Sequence, residues 1–275
     1  MRTVDDEGKD GRAPTLPTAL RTLLGWAGGV GVFALMILHV LVQPHWRDQG
    51  AWELRAKALA RLLCACFGMR VTLTGGAGLP EGPTPKGLVL VCNHVNFLDG
   101  FLLYGHLPLS FRVLDQAQHF SWPVWGWFSR RLGNISLDQS GGGRTAAALR
   151  AADRRLAGGA AILVFPEGHR TRDGSFLDFH RGAFRLAERS GALLQPLVIA
   201  GLWEVHRKGG GGIKPGPVEL RVLEAWPPEA REGRGAAELR DLVRGAMESD
   251  YREARTRLIR SSRGTPGLPE AASSS

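Results

Sequence analysis

From Leu23 to Val42 the chain reads LLGWAGGVGVFALMILHVLV, twenty residues without a lysine, arginine, aspartate or glutamate. Any fold that contains this run must withdraw it from water. As a helix it is long enough to cross a hydrocarbon core of roughly 30 Å; the other way to hide it is as a buried hairpin helix. A cleaved signal peptide fits less well, because the run is long and Gln43-Pro44-His45-Trp46 follows in place of a small-x-small cleavage site. Gly25 and Gly29 stand at the spacing that lets two helices approach closely. Basic residues flank both ends (Arg2, Lys9, Arg12 and Arg21 before, Arg47, Arg55, Lys57 and Arg61 after), so charge asymmetry does not orient the segment.

The next stretch, Trp52 to Phe67, repeats apolar residues at helical spacing through Trp52, Leu59, Leu62, Leu63 and Cys66, with Arg55, Lys57 and Arg61 off that stripe. It reads either as a basic amphipathic helix on a membrane surface or as an ordinary domain helix. From there apolar strands and helices alternate. Strands are expected at Arg70–Thr74, Leu88–Cys92, Phe111–Leu114, Ala160–Phe165, Leu193–Ala200 and Val218–Leu223. Helices are expected around Phe97–Leu103, over Thr145–Leu156 and Gly182–Arg189, and from Ala236 to about Leu258. Such alternation predicts an α/β fold with a mostly parallel sheet flanked by helices, preceded by an N-terminal transmembrane or membrane-embedded helix and an amphipathic helix. The corresponding boundaries are a disordered tail over 1–16, membrane-anchoring helices over 17–69, the α/β domain over 70–260 and a disordered tail over 261–275. The glycines Gly209–Gly212 mark a mobile loop.

A formal net charge of +9 favours anionic partners. Nucleic acid is not among those expected, because the basic residues are dispersed and form no recognised module. A phosphate-cradling G-x-x-x-x-G-K loop is missing, and the eight histidines and three cysteines show no metal-ligand spacing, so no metal is expected. Cys64, Cys66 and Cys92 imply no disulfide framework and read as packing residues on a chain kept reduced.

Two polar blocks follow the two most apolar strands. After Leu88–Cys92 comes NHVNFLDG, Asn93 to Gly100. Ligands gather at the carboxyl ends of strands in open α/β sheets, and His94 stands at such an end. Five helical steps would place His94 and Asp99 about 140° apart, so they pair only if His94 lies in the loop and Asp99 in the first turn of the helix. A histidine held by a carboxylate is a general base; the plainer reading is a helix cap. After Ala160–Phe165 comes FPEGHRTRDG, with Glu167, Gly168, Arg170 and Arg172. Guanidinium groups beside a glycine suit a bound phosphate, against the alternative of a solvated charge cluster. His180, Arg181 and Gly182 then open a helix whose free N–H groups add to an anion site.

These blocks resemble those of the 1-acylglycerol-3-phosphate acyltransferase family, among the glycerolipid and lysophospholipid acyltransferases. The family's first block is matched by Asn93, His94 and Asp99, its third by Phe165-Pro166-Glu167-Gly168-His169-Arg170, a further stretch by Phe179-His180-Arg181-Gly182-Ala183, and its last by Pro196-Leu197-Val198-Ile199. In the second block, Gln139 takes the place of an arginine associated with glycerol-phosphate binding. A basic stretch upstream is replaced within Leu114-Asp115-Gln116-Ala117, and Arg144 is the nearest substitute for the lost guanidinium.

The resemblance implies a fatty acyl transfer from acyl-CoA or acyl carrier protein to the free hydroxyl of a lysophospholipid, foremost 1-acylglycerol-3-phosphate. His94 would be the base and Asp99 its orienting partner. Asn93, Glu167, Gly168, Arg170, Arg181 and Arg144 would bind substrate, with backbone N–H groups near Gly168 at the oxyanion. No cofactor is implied beyond the donor. Because such donors are cytosolic, the domain would face the cytoplasm from a membrane. Two other outcomes stay open: transfer to another lysolipid, such as lyso-ornithine lipid, and a non-catalytic membrane lipid-binding protein. A hydrolase using the same pair would cleave thioesters without an acceptor. The sequence carries no signal of oligomeric state.

Overall fold

The computed structural model describes residues 16–42, 49–80, 84–138, 142–210 and 212–262. Gln139 and most of the two tails expected to be disordered lie outside the described residues. Two helices, α1 (Leu16–Val42) and α2 (Gln49–Cys66), precede the sheet. Then follow β1 (Met69–Thr74), β2 (Leu88–Cys92), α3 (Asp99–His106), β3 (Phe111–Gln116), α4 (Ala117–Phe120), α5 (Pro123–Arg131), β4 (Ile135–Leu137), α6 (Gly142–Ala157) and β5 (Ala161–Val164). The chain continues through α7 (Gly182–Ser190), β6 (Leu193–Ala200), α8 (Leu202–Val205), β7 (Gly216–Val222) and α9 (Ala236–Ser262).

The seven strands lie in the order β1-β7-β6-β2-β5-β3-β4. β2, β5, β6, β3 and β4 run parallel, whereas β7 is antiparallel to β6 and carries β1 with it. The central strands are buried on both faces, as continuous apolar runs require. Alternation along them sorts side chains between two layers. Leu88, Leu90 and Cys92 of β2 face one layer, formed with α1, α2, α3 and Phe128 of α5. Val89 and Val91 face the other, formed with α6, α7 and α9.

The expected helix at Phe97–Leu103 starts instead at Asp99, so Phe97 lies in the loop before it. The short α4, α5 and α8 have no periodic signal long enough to announce them. α2 also departs from the expected stripe: Leu62 is exposed and Lys57 is buried. The Lys57 ammonium pairs with Glu53 at 3.0 Å and donates to the carbonyls of Leu107 and Leu109 at 3.0 and 3.2 Å, while Arg61 Nε donates to Gly105 O at 2.6 Å. Two cations of α2 thus satisfy carbonyls at and just beyond the C-terminal end of α3, where the helix dipole favours positive charge.

α1 contains the one segment among the described residues, Thr18–Val42, that is long and apolar enough to cross a membrane. Its Val32, Met36 and Val40 are buried against the domain, while Leu23, Leu24, Val30, Leu35, Leu38 and Leu41 are at least half exposed. Gly25 and Gly29 allow the close approach of α1 to the end of α2: a Cβ on Gly25 would stand 2.8 Å from the Cys66 carbonyl, and one on Gly29 2.5 Å from the Phe67 ring. Gly31, on the outer side, has open space around it. Gly25→Ala should therefore destabilise the folded protein by about 1–3 kcal/mol through overpacking. Gly31→Ala should leave it unchanged or slightly raised. Thermal denaturation in detergent compares them, and equal midpoints for the two variants would refute the close-packing role.

Candidate active site

β2 and β5 are hydrogen-bonded neighbours, so the loops leaving their carboxyl ends emerge side by side. The chain leaving β2 crosses to β3 on one side, and that leaving β5 crosses to β6 on the other. The crevice between them is therefore a topological switch point, where α/β sheets open.

His94 and Asp99 meet as the spacing required, one in the loop and one at the first residue of α3. His94 Nδ1 lies 2.6 Å from Asp99 Oδ2, with Asp99 fully buried and the His94 side chain 22% exposed. The same carboxylate accepts the backbone N–H of Val95 at 2.7 Å and of Asn96 at 3.1 Å. A carboxylate can only accept, so the proton of the ring sits on Nδ1 and the lone pair on Nε2. The ring stacks on Phe165 with centroids 4.1 Å apart. Asn96, which the motif did not single out, closes the turn: its Oδ1 accepts the Leu98 N–H and its Nδ2 donates to the carbonyl of His206.

The FPEG loop is tied to this one by two bonds. Glu167 Oε1 accepts the His94 N–H at 2.8 Å, and the Thr171 N–H donates to His94 O at 2.9 Å. Glu167 Oε2 accepts the Leu177 N–H at 2.9 Å. With only 3% exposure, Glu167 is a brace between three segments. Burial pushes its carboxyl up to about 7, against the opposing pull of the two N–H groups. Beyond it, α9 pins the same loop: Tyr251 Oη donates to Gly174 O at 2.7 Å and Arg244 Nε to Leu177 O at 3.2 Å.

Four other residues expected at the substrate make contacts of their own within the protein or stand at its surface. Asn93 is buried and spends its amide on β6, donating to Ile199 O at 3.0 Å and accepting from Ile199 N at 2.8 Å. Gly168 takes a left-handed φ of 69°, with its N–H bonded to Phe165 O and its carbonyl accepting from Gln116 Nε2 at 2.7 Å. Its amide is thus not free for an oxyanion. Arg144 pairs with Asp138 at 2.9 Å in a separate depression between β4 and α6. Arg181 is exposed before α7, and the His180 amide there is taken by Pro166 O at 2.7 Å. Of the expected set, His94 and Arg170 line the open site and Asp99 stands directly behind His94. Cys92 is fully buried, and burial drives its thiol well above the ordinary range, so it packs and is no nucleophile.

A cavity of about 800 Å³ opens beside His94 and Arg170. Its walls are mostly apolar: Phe33 and Met36 of α1, Leu59 and Leu63 of α2, and Phe101 of α3. It continues past a second His–Asp pair, His119 Nδ1 to Asp115 Oδ1 at 2.7 Å. Among the described residues no cluster suits a metal ion.

A family model described as Acyltransferase matches residues 70–200. The chain is similar to a 1-acyl-sn-glycerol-3-phosphate acyltransferase from Chlamydomonas reinhardtii, 32% identical over 66% of this chain and 52% of that protein. It is also similar to the Lyso-ornithine lipid O-acyltransferase of Pseudomonas aeruginosa, 33% identical over 52% of this chain and 51% of the relative. The chain spans about half the length, or less, of several curated relatives it matches. Among solved structures, the 1-acyl-sn-glycerophosphate acyltransferase PlsC from Thermotoga maritima has the same fold, with a TM-score of 0.71 at 22% identity over 88% of this chain and 97% of that one.

The Glu167 brace has a pH signature. Its carboxyl sits above the ordinary 4.5 in the fold, so the folded state holds this proton more tightly than the unfolded chain. The resulting stability is present below pH 4.5 and is lost as pH rises toward about 7. The advantage of wild type over Glu167→Gln should therefore shrink by on the order of 3 kcal/mol across that window. Melting curves at its two ends read the change, and a pH-independent difference would contradict it.

Proposed function

The chain belongs to the acyltransferase family through residues 70–200, and from that premise we propose that it transfers a fatty acyl group from a thioester donor to the hydroxyl of a lysophospholipid, foremost 1-acylglycerol-3-phosphate. The observation that carries this reading is the Asp99-held His94 at the mouth of an apolar cavity of about 800 Å³. That size is within the range of small-molecule sites. Its apolar walls suit an acyl chain.

In the proposed reaction His94 Nε2 removes the proton from the acceptor hydroxyl. The freed oxygen attacks the thioester carbonyl carbon and forms a tetrahedral intermediate. As the carbonyl reforms, the carbon–sulfur bond breaks and the thiolate takes the proton from the imidazolium. Asp99 keeps the ring in the required tautomer and stabilises its charged form. Acyl-CoA and acyl carrier protein are both suitable donors. The exposed apolar side of α1 would sit in a membrane, with the domain on the cytoplasmic side where those thioesters are made available.

A second acceptor has its own support. The Pseudomonas relative is named for lyso-ornithine lipid, and this chain lacks basic residues where the second block has them. Membranes or purified protein supplied with labelled acyl donors and a panel of lysolipids would decide between them. Wild type should acylate one acceptor, and His94→Ala should lower the rate by about 10²- to 10⁴-fold, the range of general-base catalysis. Equal transfer by both proteins would remove His94 from the reaction. Lipid binding without transfer by a folded wild type would leave a lipid-binding protein, and thioester cleavage without acceptor would leave a hydrolase.

A further inference from the structure

Asp115 is the last residue but one of β3, and β3 borders β5 on the side away from β2. It therefore stands two strands along the row of strand ends from His94, about 10 Å at the usual strand spacing. Both residues line the same cavity. Gln116 ties this end of β3 to the FPEG loop, donating from Nε2 to Gly168 O at 2.7 Å. Asp115 Oδ1 accepts the His119 Nδ1–H at 2.7 Å and the Gln116 N–H at 2.8 Å, while Oδ2 accepts the Trp125 indole N–H at 3.4 Å. With the ring proton on Nδ1, His119 keeps a lone pair on Nε2, and nothing among the described residues bonds to that atom.

This second histidine–carboxylate pair has surroundings unlike those of His94. Two indoles flank it: the Trp122 ring lies 4.7 Å from that of His119, and Trp125 is held against Phe33 and Phe101. All four side chains line the cavity. The other carboxylate on the cavity wall, Glu53, is paired with Lys57 at 3.0 Å. Arg112 and Arg155, also on that wall, turn to the carbonyls of Phe111 and Gly133. Among the described residues no lysine or arginine pairs with Asp115. This corner thus presents one uncompensated negative charge, hydrogen-bond acceptors and indole faces. A phosphate brings acceptors and negative charge, and is repelled. An ammonium brings donors and positive charge, and suits both the carboxylate and the indoles.

We propose that Asp115 and His119, with Trp122 and Trp125, form an ammonium-binding subsite through which the protein acylates lysolipids that carry an ammonium in the headgroup, in addition to lysophosphatidate. The inference rests on the acyl-transfer reading and deepens it, assigning the residues and the headgroup chemistry of a second acyl acceptor. The separation from His94 leaves room for several bonds between the reacting hydroxyl and the ammonium. The headgroup of lyso-ornithine lipid and an ethanolamine phosphate share this chemistry.

The test compares the full chain as wild type, Asp115→Asn and Trp122→Leu, with kcat/KM measured for lyso-ornithine lipid, lysophosphatidylethanolamine and lysophosphatidate. In Asp115→Asn the ratio for an ammonium-bearing lysolipid over lysophosphatidate should fall about tenfold, because a charge-assisted contact is lost and the repulsion of phosphate is relieved. Trp122 is half exposed, so its replacement spares the fold if Asp115→Asn does not. Trp122→Leu should lower the same ratio about two- to fivefold, the size of a surface cation–π contact. A fall for lyso-ornithine lipid alone assigns the subsite to an amino-acid headgroup, and a fall for lysophosphatidylethanolamine alone assigns it to ethanolamine. Unchanged ratios in the folded variants, or a wild type that acylates lysophosphatidate alone, overturn the proposal. If wild type acylates none of the three, it is the acyl-transfer reading that fails. Calorimetric binding of the same lysolipids in detergent micelles then still decides the subsite. An affinity ratio that falls about tenfold in Asp115→Asn supports it, and equal ratios or absent binding overturn it.

Discussion

The geometry of the candidate site depends on one buried carboxylate. Asp99 is fully shielded from water and gathers the His94 ring and the N–H groups of Val95 and Asn96 onto itself. A buried carboxylate without such partners would be costly, so the turn between β2 and α3 closes around it. That closure fixes the ring, sends its free nitrogen toward the cavity and starts α3 with a negative charge at its N-terminus, where the helix dipole favours it. The neighbouring loop follows the same logic at one remove. Glu167 reaches the backbone of His94 and of Leu177, so strands β2 and β5 deliver a single rigid platform.

On that platform the two sheet faces have different tasks. The face under α6, α7 and α9 is a closed packed layer, and α9 reaches from it to hold the loop around Gly174 and Leu177. The face under α1, α2, α3 and α5 is incompletely filled and contains the cavity. α1 belongs to both environments. Its inner side helps wall the cavity, and its outer side presents leucines and valines to the surroundings. A membrane covering that outer side would remove apolar area from water, and would bring lipid close to the proposed acyl site by the same helix.

The β2 and β5 strands were legible because a strand buried on both faces must be apolar throughout, and little else in the chain reads that way. The pairing of His94 with Asp99 was legible because a five-residue offset allows only one arrangement across a helix start. The reversed direction of β1 and β7 was not, since local pattern carries no record of strand direction. Asn93, Glu167 and Lys57 show the larger difficulty. A polar residue has the same identity whether it touches a ligand or satisfies a buried backbone group, and here all three bond to backbone. Asn96 left one usable signal, a short amide side chain two residues before the N–H it accepts.

The account stands most directly on the role of Asp99 behind His94. Substituting Asp99→Asn keeps the shape of the side chain while replacing one acceptor oxygen by a donor, which disturbs the tautomer and charge of the ring. Steady-state kinetics of acyl transfer in a variant that still melts cooperatively should show kcat lowered by about 10²- to 10⁴-fold, with the KM values of donor and acceptor little altered. A well-folded Asp99→Asn protein with wild-type kcat would contradict the account, because the buried pair would then be structural and another group would take the proton.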